Sequence, residues 1–135
     1  MMKSRVNHIQ VNIDSKNLSF YKDLMSELGF TSIMGDENFA GFAGDNGASV
    51  WFMPAIKQES FDYDTKGCNH IGFGVDSVSD VDEVVSWLQK KNIPALFETP
   101  RHRTDFAGNG DETYYQVMFE SPDKILLEVF YYGKK

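Results

Sequence analysis

One cysteine, three histidines and four prolines in 135 residues leave little room for several kinds of chemistry. Cys68 has no partner for an internal disulfide and cannot build a cysteine-based zinc site alone, which fits a reducing compartment. Apolar runs are short. Val50 to Ala55 and Ile125 to Tyr132 fall well below the roughly 18 residues a membrane helix needs, and Glu128 interrupts the second. Basic residues are outnumbered by acidic ones, 13 against 20, and the net charge of −7 repels phosphate backbones and anionic lipid surfaces. Neither nucleic acid nor a membrane is an expected partner. Met1 to Arg5 lead into a strand-like segment without the apolar core of a signal peptide, so a cytoplasmic location is expected. What is present is a globular composition, 41% hydrophobic and 24% charged, enough for one domain with a proper core.

The chain repeats itself. Asn7-His8-Ile9-Gln10-Val11-Asn12-Ile13-Asp14-Ser15 returns as Asn69-His70-Ile71-Gly72-Phe73-Gly74-Val75-Asp76-Ser77, 62 residues later and identical at five of nine positions. Each copy alternates as a strand does, and each ends in an Asp-Ser pair where a 3.6-residue period begins, which predicts a capped helix. Leu18, Tyr21, Leu24, Met25 and Leu28 share one face of the first helix, which Gly29 can close in a left-handed conformation. Val78, Val81, Val84, Val85 and Leu88 share a face of the second, ending near Asn92. Three strand-like segments follow in each half, at about 30–35, 38–43 and 48–54, then 94–98, 113–120 and 124–132. Ser121-Pro122-Asp123-Lys124 predicts a type I turn joining the last two strands as a hairpin. The expected architecture is α+β: two tandem βαβββ modules, 5–54 and 69–133, joined by a polar linker at 55–68 within a single domain of 1–135. The longest irregular stretch of the second half is expected from Thr99 to Glu112.

Side chains alternate across a strand, so parity sorts them by face. Ile9, Val11 and Ile13 form the helix side of the first strand, leaving His8, Gln10 and Asn12 on the other; Ile71, Phe73 and Val75 do the same for the repeat, leaving His70, Gly72 and Gly74. On the last strand Leu126, Glu128, Phe130 and Tyr132 form one set, and Glu128 is a carboxylate in an apolar run that needs a partner. Two imidazoles from equivalent positions and one carboxylate make a ligand set suited to a divalent Zn, Mn, Ni, Co or Fe ion, with coordination positions left for substrate oxygens.

Taken together, Val6-Asn7-His8-Ile9, Phe20-Tyr21-Lys22-Asp23-Leu24 with Leu28-Gly29-Phe30, Asn69-His70-Ile71, and Phe119-Glu120-Ser121-Pro122-Asp123 with Leu127-Glu128-Val129 make the sequence resemble the vicinal oxygen chelate superfamily. That superfamily includes glyoxalase I, fosfomycin and bleomycin resistance proteins and extradiol dioxygenases. The resemblance spans nearly the whole chain. It implies paired modules curved into a cup-shaped mixed sheet, a metal held by His8, His70 and Glu128, a small-molecule substrate with vicinal oxygens, and a homodimer. The activity it implies is of the lyase, isomerase or thiol-transfer type. A non-catalytic binding protein of the bleomycin resistance kind is the alternative, and an Fe(II) extradiol dioxygenase a further one, for which His102 in the loop is a poor match to the additional catalytic histidine. Ser49, Trp51 and Met53 include no carboxylate or imidazole, so the four-ligand arrangement of glyoxalase I is missing. Trp51 is similar to the tryptophan of fosfomycin resistance enzymes, whereas Gln10 stands where those enzymes carry threonine.

The remaining candidates for substrate contact are Gln10, Trp51, Gly72, Tyr115, Phe130 and Arg101. Gly72 and Gly74 either clear space beside His70 or allow a close strand approach. Trp51 and Phe130 either wall a planar substrate or fill the core. Tyr114 and Tyr115 are neighbours on a strand, so only one of them can face inward. No residue stands out as a catalytic acid or base.

Overall fold

The computed structural model describes all residues, 1–135, and the chain divides into two compact units, Met1–Ser60 and Phe61–Lys135. The first carries β1 (His8–Ile13), a 3-10 turn (Ser15–Asn17), α1 (Leu18–Glu27), β2 (Thr31–Gly35), β3 (Ala40–Ala43) and β4 (Ser49–Pro54). The second carries β5 (His70–Gly74), α2 (Val78–Lys90), β6 (Leu96–His102), β7 (Glu112–Glu120) and β8 (Leu126–Lys134). Each forms a four-stranded mixed sheet, in the order β1-β4-β3-β2 and β5-β8-β7-β6. In both, the opening strand runs parallel to the closing strand and the other pairs are antiparallel. The βαβββ order read from the repeat is therefore present twice.

The local reasons are the same in both units. Asp14 accepts a hydrogen bond from the Lys16 N–H (3.1 Å) and Ser77 from the Asp80 N–H (3.1 Å), so each helical segment starts on a side-chain cap. Both helices end in a left-handed residue, Gly29 (φ 74°) and Asn92 (φ 57°). In each, the next N–H reaches back to a carbonyl of the last turn: Phe30 to Met25 and Ile93 to Leu88, both at 2.9 Å. The apolar stripes predicted for the helices are the buried ones, Leu18, Tyr21, Leu24 and Met25 in α1 and Val81, Val84 and Leu88 in α2. In the first unit Tyr21 stacks on Phe52 at 4.5 Å. In the second, Val117, Phe119, Leu127 and Val129, the odd positions of β7 and β8, are wholly buried or nearly so, and α2 lies against these strands.

The hairpin expected at Ser121–Lys124 is present. The Lys124 N–H bonds the Ser121 carbonyl at 2.9 Å, and Lys124 takes the left-handed conformation (φ 60°) that returns the chain to the ladder. The irregular stretch begins later than expected. Thr99, Pro100, Arg101 and His102 belong to β6, because a bulge at Phe97 and Glu98, both with positive φ, lets the strand resume pairing beyond it. Thr99 supports the bulge, its hydroxyl accepting from the Met118 N–H and donating to the Leu96 carbonyl. The loop proper is 103–111.

Candidate metal and ligand site

The register of the second sheet places one face of side chains together. Gly74 of β5 opposes Phe130 of β8, which opposes Gln116 of β7, which opposes Arg101 of β6. A neighbouring row runs Gly72, Glu128, Met118. Residues directly opposite share a face, so this face carries His70, Glu128, Phe130, Tyr114, Gln116, Met118 and Arg101, and they line a cavity of about 1080 Å³ within the second unit.

Glu128, only 4% exposed, is the centre of its polar part. Its Oε1 accepts a hydrogen bond from the Tyr114 hydroxyl (2.8 Å), and its Oε2 lies 3.1 Å from His70 Nε2. Burial, followed by the hydrogen bond to this carboxylate, holds the Tyr114 hydroxyl well above its ordinary pKa, so Tyr114 stays a donor at any physiological pH. His70 Nδ1 lies 2.8 Å from the Asn69 side-chain oxygen. An amide oxygen only accepts, so Nδ1 carries a proton and the Nε2 lone pair is turned toward Glu128. A lone pair and a carboxylate at that distance repel unless a cation, either a second ring proton or a metal ion, lies between them. The donor set therefore fits a divalent ion, and the Asn69 contact is the kind of outer partner that fixes a ligating imidazole.

His8 has the same neighbour. On β1 its Nδ1 lies 3.1 Å from the Asn7 side-chain oxygen, which leaves Nε2 as the free nitrogen of an exposed side chain. Within neither unit do three or more His, Cys, Asp or Glu side chains gather as a metal cluster.

The other expected residues separate. Phe130 and Arg101 line the cavity, and a Cβ at Gly72 would come within 3.4 Å of Glu128 Oε2 and 3.3 Å of the Phe130 ring, so that glycine keeps the space over the carboxylate clear. Trp51 and Gln10 belong to the first sheet. The Trp51 ring lies flat on Gly41 with Nε1 donating to Ser49 Oγ (3.0 Å), and Gln10 donates to Asn12 (3.1 Å). Tyr115 is corrected: it turns to the helix side and donates to Asp82 of α2 (2.7 Å), and its neighbour Tyr114 takes the cavity face. Burial and that bond push the Tyr115 hydroxyl up to about 12. His102 also faces away from the cavity, packed on Tyr115 at 4.5 Å and bonded to Thr113, so it brings no imidazole to the site.

Gln116 and Met118 are absent from the expected site residues and Tyr114 enters there only as one of two neighbours that could face inward, yet a signal existed. The Ser121–Lys124 turn sets Phe130 opposite Gln116 and Tyr132 opposite Tyr114, which assigns the face of β7 from that of β8. The aromatic part of the cavity is ordered: Tyr114 and Phe130 stack at 4.9 Å and 5°, and Phe106 meets Tyr114 edge-on at 5.4 Å. Arg103 forms a two-point ion pair with Asp105 (2.6 and 2.9 Å), which holds the Asp105 carboxyl below its usual range, and the guanidinium sits 4.2 Å over the Phe106 ring.

No family model matches the sequence, and no curated protein is close enough in sequence to count as a match. Solved structures are informative. A glyoxalase-like protein of Bacillus halodurans superposes with a TM-score of 0.76 at 24% identity, covering 93% of this chain and 94% of its own. A glyoxalase/dioxygenase of Nostoc punctiforme gives 0.74 at 17% identity, covering 96% and 92%. The fosfomycin resistance protein FosX of Listeria monocytogenes, crystallised with Mn(II) and sulfate, gives 0.66 at 20% identity, covering 95% and 90%. The chain thus has the α+β fold of the vicinal oxygen chelate superfamily, the glyoxalase, dioxygenase and fosfomycin resistance architecture.

Proposed function

We propose that the protein is a divalent-metal-dependent enzyme acting on a small molecule with neighbouring oxygens, by lyase, isomerase or thiol-transfer chemistry, with His8, His70 and Glu128 as the metal ligands. The observation that carries this reading is the 3.1 Å approach of His70 Nε2 to the buried Glu128 carboxylate while Asn69 occupies Nδ1. His8 joins the set because its strand, its residue neighbours and its Asn7 contact repeat those of His70. The FosX structure of similar fold contains Mn(II), which supports a metal of that class; Zn, Ni, Co and Fe suit the same ligands. A bound divalent ion supplies a Lewis acid that stabilises negative charge developing on a substrate oxygen.

The chain's own residues do the rest. Tyr114 holds the Glu128 carboxylate from its second oxygen. The stacked Tyr114 and Phe130 rings give the cavity an aromatic wall beside Gly72 and Glu128. Placing ligands in two modules also suits a homodimer, in which His8 is supplied by either copy.

Protein purified without chelator is expected to carry a divalent metal, and to take up Mn(II) or Zn when stripped. Less than about a tenth of an equivalent, with no affinity for added metal, overturns the proposal. Ligand binding without metal binding would indicate a binding protein of the bleomycin resistance kind instead.

A further inference from the structure

Two donors in the cavity lack acceptors. Arg101 Nε and Gln116 Nε2 are buried atoms with no hydrogen-bond partner, and Gln116 as a whole is 2% exposed. They belong to directly opposed residues of β6 and β7, so they serve the same patch of the cavity. Buried donors are almost always satisfied in folded proteins, and an orphan in a pocket marks a place where something else supplies the acceptor.

Charge identifies the acceptor further. Of the two guanidinium groups lining the cavity, that of Arg103 is held by both oxygens of Asp105. That of Arg101 has only an exposed contact from Nη1 to Glu98 at 3.5 Å. A permanently charged, planar donor beside an orphaned amide N–H fits a carboxylate, whose two oxygens can accept from both. The next residue in the same row is Phe130, whose ring stacks with Tyr114, so a ligand anchored at Arg101 lies along an aromatic wall.

We propose that this cavity takes a carboxylate carried on a flat aromatic or conjugated body, with Arg101 and Gln116 binding the carboxylate and Phe130 with Tyr114 flanking the body. The proposal rests on the reading of this cavity as a small-molecule site but not on the metal.

The test uses ¹⁵N-labelled full-length protein, stripped of metal and kept in chelator, titrated with 2-naphthoate and with the neutral 2-naphthamide. The Arg101 Nε–H and Gln116 side-chain signals, identified by their loss in Arg101→Met and Gln116→Leu, are expected to move with naphthoate. Naphthoate is expected to bind at least about tenfold more tightly than naphthamide, and each substitution to weaken it by about tenfold or more. Equal affinity for the two probes, or signals that stay put, overturns the proposal and leaves buried water as the acceptor; this comparison needs only the wild-type chain, whatever the variants do to folding. Mn(II) uptake, measured separately without chelator, keeps the two readings apart. Naphthoate selectivity without Mn(II) uptake sinks the metal alone, and Mn(II) uptake without selectivity sinks the carboxylate site alone.

Discussion

The two modules share their topology, their opening histidine and the asparagine beside it, but they differ at the next position across the sheet. In the second, Gly72 opposes Glu128; in the first, Gln10 opposes Trp51. The strand that supplies a buried carboxylate in one module supplies an indole in the other. The glycine moves with it: Trp51 lies on Gly41 of the adjacent strand, whereas Glu128 has Met118 on one side and Gly72 on the other, where the Phe130 ring and the Glu128 carboxylate approach the glycine to about the distance a Cβ would need. One duplicated scaffold thus carries the strand-opening histidine twice and the buried carboxylate once. The module that kept the acid also has the cavity whose floor is Tyr114, Gln116 and Phe130.

The largest effects are expected from substituting the proposed ligands in one module at a time. His70→Ala and Glu128→Ala are each expected to lower Mn(II) affinity by more than about 100-fold, a larger loss than that caused by outer partners. Trp51→Phe, at the position matching Glu128, is expected to leave Mn(II) affinity nearly unchanged. Calorimetric titration of stripped protein reads all three, and a metal-binding defect in Trp51→Phe would show that the modules are less specialised than their side chains imply. Next in size, Asn69→Ala and Asn7→Ala free their imidazoles to rotate and to change tautomer, and each is expected to weaken metal binding by about 10–100-fold. Equal losses sharpen the equivalence of the two histidines; a loss confined to Asn69→Ala would detach His8 from the site.

The glycines separate the modules by stability. A Cβ at Gly41 would stand 2.5 Å from the Trp51 ring, so Gly41→Ala is expected to cost about 1–3 kcal/mol in urea unfolding by overpacking. Gly72→Ala, with contacts of 3.3–3.4 Å, is expected to cost less than about 1 kcal/mol and to act on ligand binding instead. The smallest effect concerns the helix side of the second sheet. The folded state raises the Tyr115 pKa from 10.0 to about 12, so its contribution to stability is complete below pH 10 and is lost as pH climbs toward 12. Thermal melts across that interval should show a shallower alkaline decline in Tyr115→Phe than in the wild type.

Much of this was legible in the chain. The nine-residue repeat, the Asp-Ser caps, Gly29 and the Ser121–Lys124 turn are local signals, and they specify two βαβββ modules because capping, turn chemistry and alternation act over a few residues. Parity alone was enough to put His70, Gly72, Glu128 and Phe130 on one face. It failed for Tyr115, whose face depends on the partner strand: β7 is polar at Glu112 and Gln116 and aromatic at both Tyr114 and Tyr115, so no alternation distinguishes them. It failed too at the start of the loop, where Pro100 and the charged Arg101-His102-Arg103 read as a strand terminator until the bulge and the Thr99 hydrogen bonds are seen.

The duplication, the order of elements and the identity of the histidines and the glutamate are thus written in the chain alone. Tertiary structure decided which ring nitrogen each histidine presents, because that depends on where the Asn7 and Asn69 amides settle. It also decided that Arg101 and Gln116 meet. Leu96 opposes Met118 and Arg101 opposes Gln116, so β6 advances five residues while β7 advances two. That bulge reverses the parity of β6 along its length, a change that pairing between distant strands imposes and that no local pattern in the chain records.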